Sequence, residues 1–464
     1  MKTLKAITIL AAALAFSSPL IAQQKQAPPA GGPPKPFTVP AHETYSLPNG
    51  MKVTLVPYGN LPKVTLSLVL RTGNLNEPAD MVGLADLAGN LMKEGTTKKS
   101  SKQVAEEAAA MGGAVNIAVG VDESNVDIDV LSEFGPRAAA LIADVAQHPL
   151  FPDSELPRLK NDALRQLSIS KSVPQSIALE KFRKILYGDH PYGIVFPTEE
   201  SINKATVADI KKYYVGNFGA GRAHLYVAGR FDSAEMKKAV EANFSGWAKG
   251  AAPISNVPKV KPQPLMDVTD RPGAAQSTLL IGMPVPDASS PDAIPLNVTN
   301  ALLGGSFGSR ITSNIREQKG YTYSPSSQLS RRYHDAYWAE AADVTTQFTG
   351  PSIKEIFAEI DKLSKEAPSA DELKGIQTYM SGIFVIQNSS RGALINQLRY
   401  VDFQGLGEDY LKTYVQKVNA VTPADVQKQT AEHIKPDQMT IVVVGDKSKI
   451  TEQLTPFSRG AKPN

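Results

Sequence analysis

Thr206-Val207-Ala208-Asp209-Ile210 and Thr422-Pro423-Ala424-Asp425-Val426 stand 216 positions apart and carry the same signal twice. Each threonine hydroxyl can accept from an amide of the first helical turn, and the aspartate three residues on can accept from the threonine's own amide. Pro423 falls where a first helical turn tolerates proline. A buried strand follows each helix: Ala223-His224-Leu225-Tyr226-Val227-Ala228-Gly229, then Met439-Thr440-Ile441-Val442-Val443-Val444-Gly445. Gly229 and Gly445 are again 216 apart.

Earlier pieces pair as well. A helix over Ser101–Met111 ends at Gly112-Gly113 and leads to a strand from Ala114. A helix over Ser309–Lys319 ends at Gly320 and leads to a strand from Tyr321. Asp153-Ser154-Glu155-Leu156 and Asp371-Glu372-Leu373 each open a long helix. The repeat is far too long for a solenoid unit of 20–50 residues, so it means two homologous domains.

Within the first copy, Lys52–Tyr58 and Lys63–Arg71 read as strands, and Leu84–Lys93 and Ser101–Met111 as helices. Val115–Val119 and Ser124–Leu131 alternate as an antiparallel pair, followed by helices over Pro136–Gln147, Glu155–Lys171 and Gln175–Tyr187. The class is α+β: two homologous domains, each a mostly antiparallel sheet with helices packed on one face. The first domain is expected over 38–248 and the second over 265–458. The linker over 249–264 carries Pro253, Pro258, Pro262 and Pro264, a tether long enough for the halves to stand face to face.

The chain has 464 residues, 42% hydrophobic and 20% charged, with a net charge of only +3, which gives no electrostatic case for nucleic-acid binding. It has no cysteine, which removes disulfides, thiolate metal sites and cysteine nucleophiles. Lys2 and Lys5, the apolar run from Ala6 to Phe16 and the small residue Ala22 read as a secretory signal peptide over 1–22. Gln23 to Phe37 is a Pro/Gly-rich lead. The mature chain is therefore expected to be exported and soluble, most simply periplasmic, with no stable membrane insertion once the signal is removed. No Gly-x-Ser-x-Gly elbow or nucleotide loop occurs, and Gly304-Gly305-Ser306-Phe307-Gly308-Ser309 lacks the Lys-Ser/Thr ending of a phosphate loop. The six histidines form no His-x-x-x-His pair and read as structural or solvated; His334 sits in a polar stretch, Arg331 to Asp335, that reads as solvated surface.

Gly83-Leu84-Ala85-Asp86-Leu87-Ala88-Gly89-Asn90-Leu91-Met92-Lys93-Glu94-Gly95-Thr96 resembles the opening helix of the M16 metallopeptidases, the pitrilysin and insulin-degrading group. Gly112-Gly113-Ala114-Val115-Asn116 resembles the turn and strand that follow it. In the second half, Leu303 to Arg310 and Arg316-Glu317-Gln318-Lys319-Gly320-Tyr321-Thr322-Tyr323 resemble that family's glycine-rich and Arg/Tyr segments. The resemblance runs over about residues 38 to 458.

Active members of that family carry His-x-x-Glu-His, two zinc-binding histidines on one helix face with the glutamate that activates water beside them. Against that pattern the first histidine position holds Asp86, the base position Gly89 and the second histidine position Asn90. The distant ligand falls in the Asn161–Leu167 stretch, at Gln166 to within a helical turn. One carboxylate and two neutral amides make a poor zinc set, and glycine cannot take a proton. No metal or cofactor is expected in this chain.

From the residues alone, Arg316 and Tyr323 are a solvent-facing arginine and a strand tyrosine. The resemblance implies more: a pair that donates to the oxyanion of peptide hydrolysis. It then implies the non-zinc subunit of a heterodimeric peptidase, whose partner, a zinc-containing M16 paralogue, supplies the metal and takes peptide substrates as an added strand. The alternative is a catalytically inactive pseudo-peptidase that binds peptides or scaffolds an envelope complex.

Overall fold

A strand covered on one face alternates buried and exposed residues; one covered on both does not. In β2 (Lys52–Pro57), Val53 to Val56 are buried without interruption, whereas β5 (Ser124–Leu131) alternates along its length. This contrast reports how the two halves are joined.

The computed structural model describes residues 38–407 and 409–459. The predicted signal peptide and Pro/Gly-rich lead lie outside the described residues. In the first half, β1 (Glu43–Ser46), β2, β3 (Lys63–Leu70), β4 (Asn116–Val119), β5 and β6 (Ala223–Gly229) form one sheet in the order β1-β2-β6-β3-β5-β4. In the second half, β7 (Met266–Asp270), β8 (Gln276–Val285), β9 (Ser326–Leu329), β10 (Ala336–Thr345) and β11 (Thr440–Gly445) are ordered β7-β11-β8-β10-β9. Apart from β1 the two orders are the same. β2 runs parallel to β6 as β7 does to β11, and the other pairs are antiparallel. The duplication read from the capped helices is therefore a duplicated sheet topology.

The helices that position the site are α1 (Leu84–Leu91), α2 (Gly135–Gln147), α3 (Leu156–Ser172), α4 (Pro174–Tyr187) and α5 (Val207–Asn217) in the first half. In the second they are α6 (Thr349–Lys365), α7 (Arg391–Gln404) and α8 (Pro423–His433). Both expected caps are formed. Thr206 Oγ1 accepts from Asp209 N and Asp209 Oδ2 from Thr206 N; Thr422 and Asp425 repeat the exchange at 3.2 and 2.8 Å.

Each half packs its own helices on one sheet face. Leu141, Ile142 and Val145 of α2 join Leu66, Leu68, Ile128 and Leu225, and Ile353, Ile356 and Ile360 of α6 join Leu279, Ile281, Trp338 and Ile441. The opposite face of each sheet takes a helix from the other half. Ala178, Phe182 and Leu186 of α4 recur every fourth residue and pack on Leu280, Tyr337, Ala339, Val442 and Val444. Leu394, Ile395, Leu398 and Val401 of α7 pack on Val56, Val69, Tyr226 and Ala228. This crossed exchange leaves the central strands apolar on both sides.

The turns of two corresponding hairpins meet between the halves. Tyr192 hydroxyl donates to Asp122 at 2.5 Å, and Arg332 lies 3.9 Å from the same carboxylate. Tyr187 hydroxyl donates to Asp335 at 2.6 Å, and the Arg71 guanidinium lies 4.3 Å over the Tyr333 ring. The polar stretch Arg331 to Asp335 is thus a correction to the sequence reading: from Arg332 onward it is half-buried in an interdomain clasp, with His334 at φ 48° turning the chain. The proline-rich segment is itself tied down, since Arg222 donates to Ala251 O and Thr440 Oγ1 to Gln263 O. No helix among the described residues is long and apolar enough to cross a membrane.

Candidate functional site

Gly83 opens α1 at φ 94°, a left-handed conformation that glycine adopts without steric cost. The free amides of that helix start are capped from outside by Glu77, which accepts from Gly83 N at 3.1 Å and Ala85 N at 2.8 Å. Asn74 Nδ2 bridges Glu77 at 3.1 Å and Asp86 at 2.8 Å. Burial pushes Glu77 up to about 7, outweighing the hydrogen bonds that favour its charge. Asp86 reaches solvent, yet protein crowds it on the other sides; that desolvation raises its carboxyl, and the Asn74 bond and the Lys93 charge only partly offset it. Asn90, one turn along the same face, accepts from Lys93 Nζ at 3.1 Å.

Gly89 decides what this helix can do. It is buried where α1 crosses β4, and a Cβ added there would lie 2.5 Å from Val119 Cγ2. Ordinary carbon contacts are about 3.5–4.0 Å. A side chain at Gly89, the expected base position, would therefore have to displace a valine methyl. Gln166, on α3, is exposed, and its amide reaches Ser170 Oγ at 3.4 Å rather than any α1 residue. Among the described residues, no group of three or more histidines, aspartates or glutamates could hold a metal ion. The donor set does not fit zinc.

The second constellation is assembled. Arg316 lies in a π-wound helical stretch, Thr312–Gln318, where Lys319 N donates to Asn314 O. Such winding is rare and recurs at functional sites. The Arg316 guanidinium lies 4.8 Å over the Tyr323 ring and 4.5 Å over the Phe307 ring, with Nε 3.1 Å from Glu317. Both rings are open to solvent, Tyr323 at 77% and Phe307 at 69%. Tyr323 is not on a strand as expected: β9 starts at Ser326, and Tyr323 lies in the connection before it. Below, Arg310 makes a two-pronged pair with Glu372 at 2.7 and 2.8 Å, and Asn314 donates to Glu359, so the segment rests on fixed supports. Among the described residues no hydrogen bond, ion pair or ring contact joins this set to Asp86, Gly89 and Asn90.

Sequence reasoning missed Glu77, Asn74, Val119 and Phe307. Only Glu77 left a trace, an acidic residue just upstream of a helix start. Val119 is invisible because its role is a contact across thirty positions.

Two protein-family models match. The insulinase (peptidase family M16) model covers residues 53–196, and the peptidase M16 inactive-domain model covers 204–380. A Bacillus subtilis protein named as an uncharacterized zinc protease, YmxG, is 25% identical over 362 residues, 76% of this chain and 86% of that protein. A Rickettsia felis protein, also named as a zinc protease, is 23% identical over 74% of this chain and 82% of its own length. Among solved structures, a peptidase M16 inactive domain from Pseudomonas fluorescens superposes with a TM-score of 0.81 at 24% identity, covering 88% of this chain and 98% of that one. A Helicobacter pylori protease also gives 0.81, at 19% identity over 88% of this chain and all of that one. The chain belongs to the M16 insulinase/pitrilysin family, as one of its members without a metal cluster among the described residues.

Proposed function

We propose that this chain is a catalytically inactive M16 pseudo-peptidase, an exported protein that holds peptide segments or organises an assembly without a hydrolytic step of its own. The observation that carries the reading is the closed base position: Gly89 packs against Val119, and Asp86 and Asn90 are each held by a neighbour. The domain boundary belongs in 249–264. The test is metal content and cleavage of a set of fluorogenic peptides by the purified protein alone. Less than a tenth of a zinc per chain and no turnover are expected. One tightly held zinc, or chelator-sensitive turnover, would overturn the reading.

A second reading is favoured by the assembled Arg316–Tyr323 pair. In it the chain completes the chamber of a zinc-containing M16 paralogue, and the guanidinium and phenol donate to the oxyanion that forms at the partner's metal. The stacking of Arg316 on an exposed Tyr323, away from this chain's own α1, supports it. Tyr323→Phe and Arg316→Ala should then each lower kcat of the mixed complex by about two to three powers of ten, the usual effect of losing one oxyanion donor. Complex formation, checked by size, should persist. Turnover at the wild-type rate in both variants would leave the pair architectural.

A further inference from the structure

Where β2, β3 and β6 of the first sheet meet α7 of the second half, a cavity of about 180 Å³ opens beside Pro253 of the connecting segment. It holds the space of roughly six waters at about 30 Å³ each. Four cations line it, Lys52, Arg71, Arg222 and Arg399, against two carboxylates, Glu123 and Asp402.

Both carboxylates are already engaged. Arg399 Nε lies 2.7 Å from Glu123. Asp402 accepts from the Tyr226 hydroxyl at 2.5 Å and lies 3.4 Å from His224 Nδ1. The remaining three cations have no carboxylate within ion-pair distance among the described residues. Arg222, 5% exposed, donates to neutral acceptors, Ala251 O at 3.0 Å and Asn217 Oδ1 at 3.1 Å. Arg71 is stacked, 4.3 Å over Tyr333 and 5.1 Å over Phe403, which fixes the plane of the guanidinium and uses none of its N–H edges. Lys52 stands at the open start of β2. A nine-tenths buried guanidinium without an anion is costly. Lys52 adds a second positive charge beside it and Arg71 a third, whose field is shared with Glu123 and Asp122, so the cavity wall carries an excess of positive charge that suits an anion.

We propose that this cavity is a binding site for a phosphate-type oxyanion, held by Lys52, Arg71 and Arg222 at the junction of the two halves and the connecting segment. Three donors approaching from the start of β2, the end of β3 and the turn before β6 suit the several oxygens of a tetrahedral ion better than a flat carboxylate. All three donors belong to the first half, and α7 of the second half and Pro253 of the connecting segment close the cavity over them.

The test is isothermal titration of the purified protein with inorganic phosphate, a phosphoserine tripeptide and acetate, at constant ionic strength. Saturable phosphate binding is expected, at least tenfold weaker in Lys52→Met, the loss typical of one charged hydrogen-bond donor. Lys52 is exposed, so the variant should keep the wild-type circular dichroism; Lys211→Met, on the surface of α5, serves as the unaffected control. Tighter binding of the phosphoserine peptide than of phosphate would identify a peptide-borne group as the source. Acetate binding as tightly as phosphate, no saturation with either phosphate compound, or unchanged affinity in Lys52→Met would overturn the proposal.

Discussion

Gly89→Ala is the smallest change that asks whether the base position is closed. In an open helix interior, alanine for glycine stabilises by about 1 kcal/mol. Here the new methyl would meet Val119 Cγ2 at 2.5 Å, and overpacking of that kind costs about 1–3 kcal/mol. Valine is β-branched with little rotamer freedom, so relief requires movement of β4, an edge strand of its sheet. The net expectation runs from neutral to about 2 kcal/mol destabilising. In a Val119→Ala background the obstructing methyl is gone, and the same substitution should stabilise by its helix propensity of about 1 kcal/mol. The effect therefore changes sign between backgrounds, a coupling of about 1–3 kcal/mol read from urea midpoints at equal m values. If Gly89→Ala stabilises both backgrounds equally, Val119 does not occupy the site and the closed-base argument fails.

Glu77 has its proton affinity raised by folding, so its contribution is full below the unfolded carboxyl range and fades as pH rises through about 7. Glu77→Gln should flatten the wild-type fall in stability between pH 5 and 8, a change of up to about 3 kcal/mol; identical pH profiles for the two proteins would refute this. Thr422→Ala removes a reciprocal cap and should cost about 1 kcal/mol in chemical unfolding, as should Thr206→Ala at its counterpart. Phe182→Ala deletes a fully buried ring that the first half packs on the second sheet, and should cost about 3–5 kcal/mol; a loss under 1 kcal/mol would mean that α4 is not holding the halves together.

What was legible from sequence was local. The caps at Thr206 and Thr422 and the strands at Ala223 and Thr440 are specified by residues a few positions apart, and each is where the chain announces it. The helix over Ser309–Lys319 is present, but its π-winding answers to supports at Glu359 and Glu372 that periodicity does not encode. The same applies to α4 and α7. Their apolar stripes are plain in the chain, yet a stripe does not say which sheet will receive it. Arg331 to Asp335 looks like surface because its charges find partners, Asp122 and Tyr187, more than 130 positions away. At α1, the sequence reading has Asp86 and Asn90 at the two histidine positions and Gly89 at the expected base position. The close approach of Val119 to Gly89 belongs to packing alone.

The crossing of α4 and α7 also bears on how such a chain can be cut or inherited. Either half expressed by itself would carry one helix with no sheet to lie on and one sheet with an uncovered apolar back, the composition of an aggregation-prone fragment. Two copies of one half could repair this only by lending each other that helix, as in a domain-swapped dimer. The duplicated chain is such a dimer made covalent. A lesion at α1 cannot be discarded by deleting the first half, because the second half depends on the helix that follows. The chemistry of the first half could be lost while its architecture was kept.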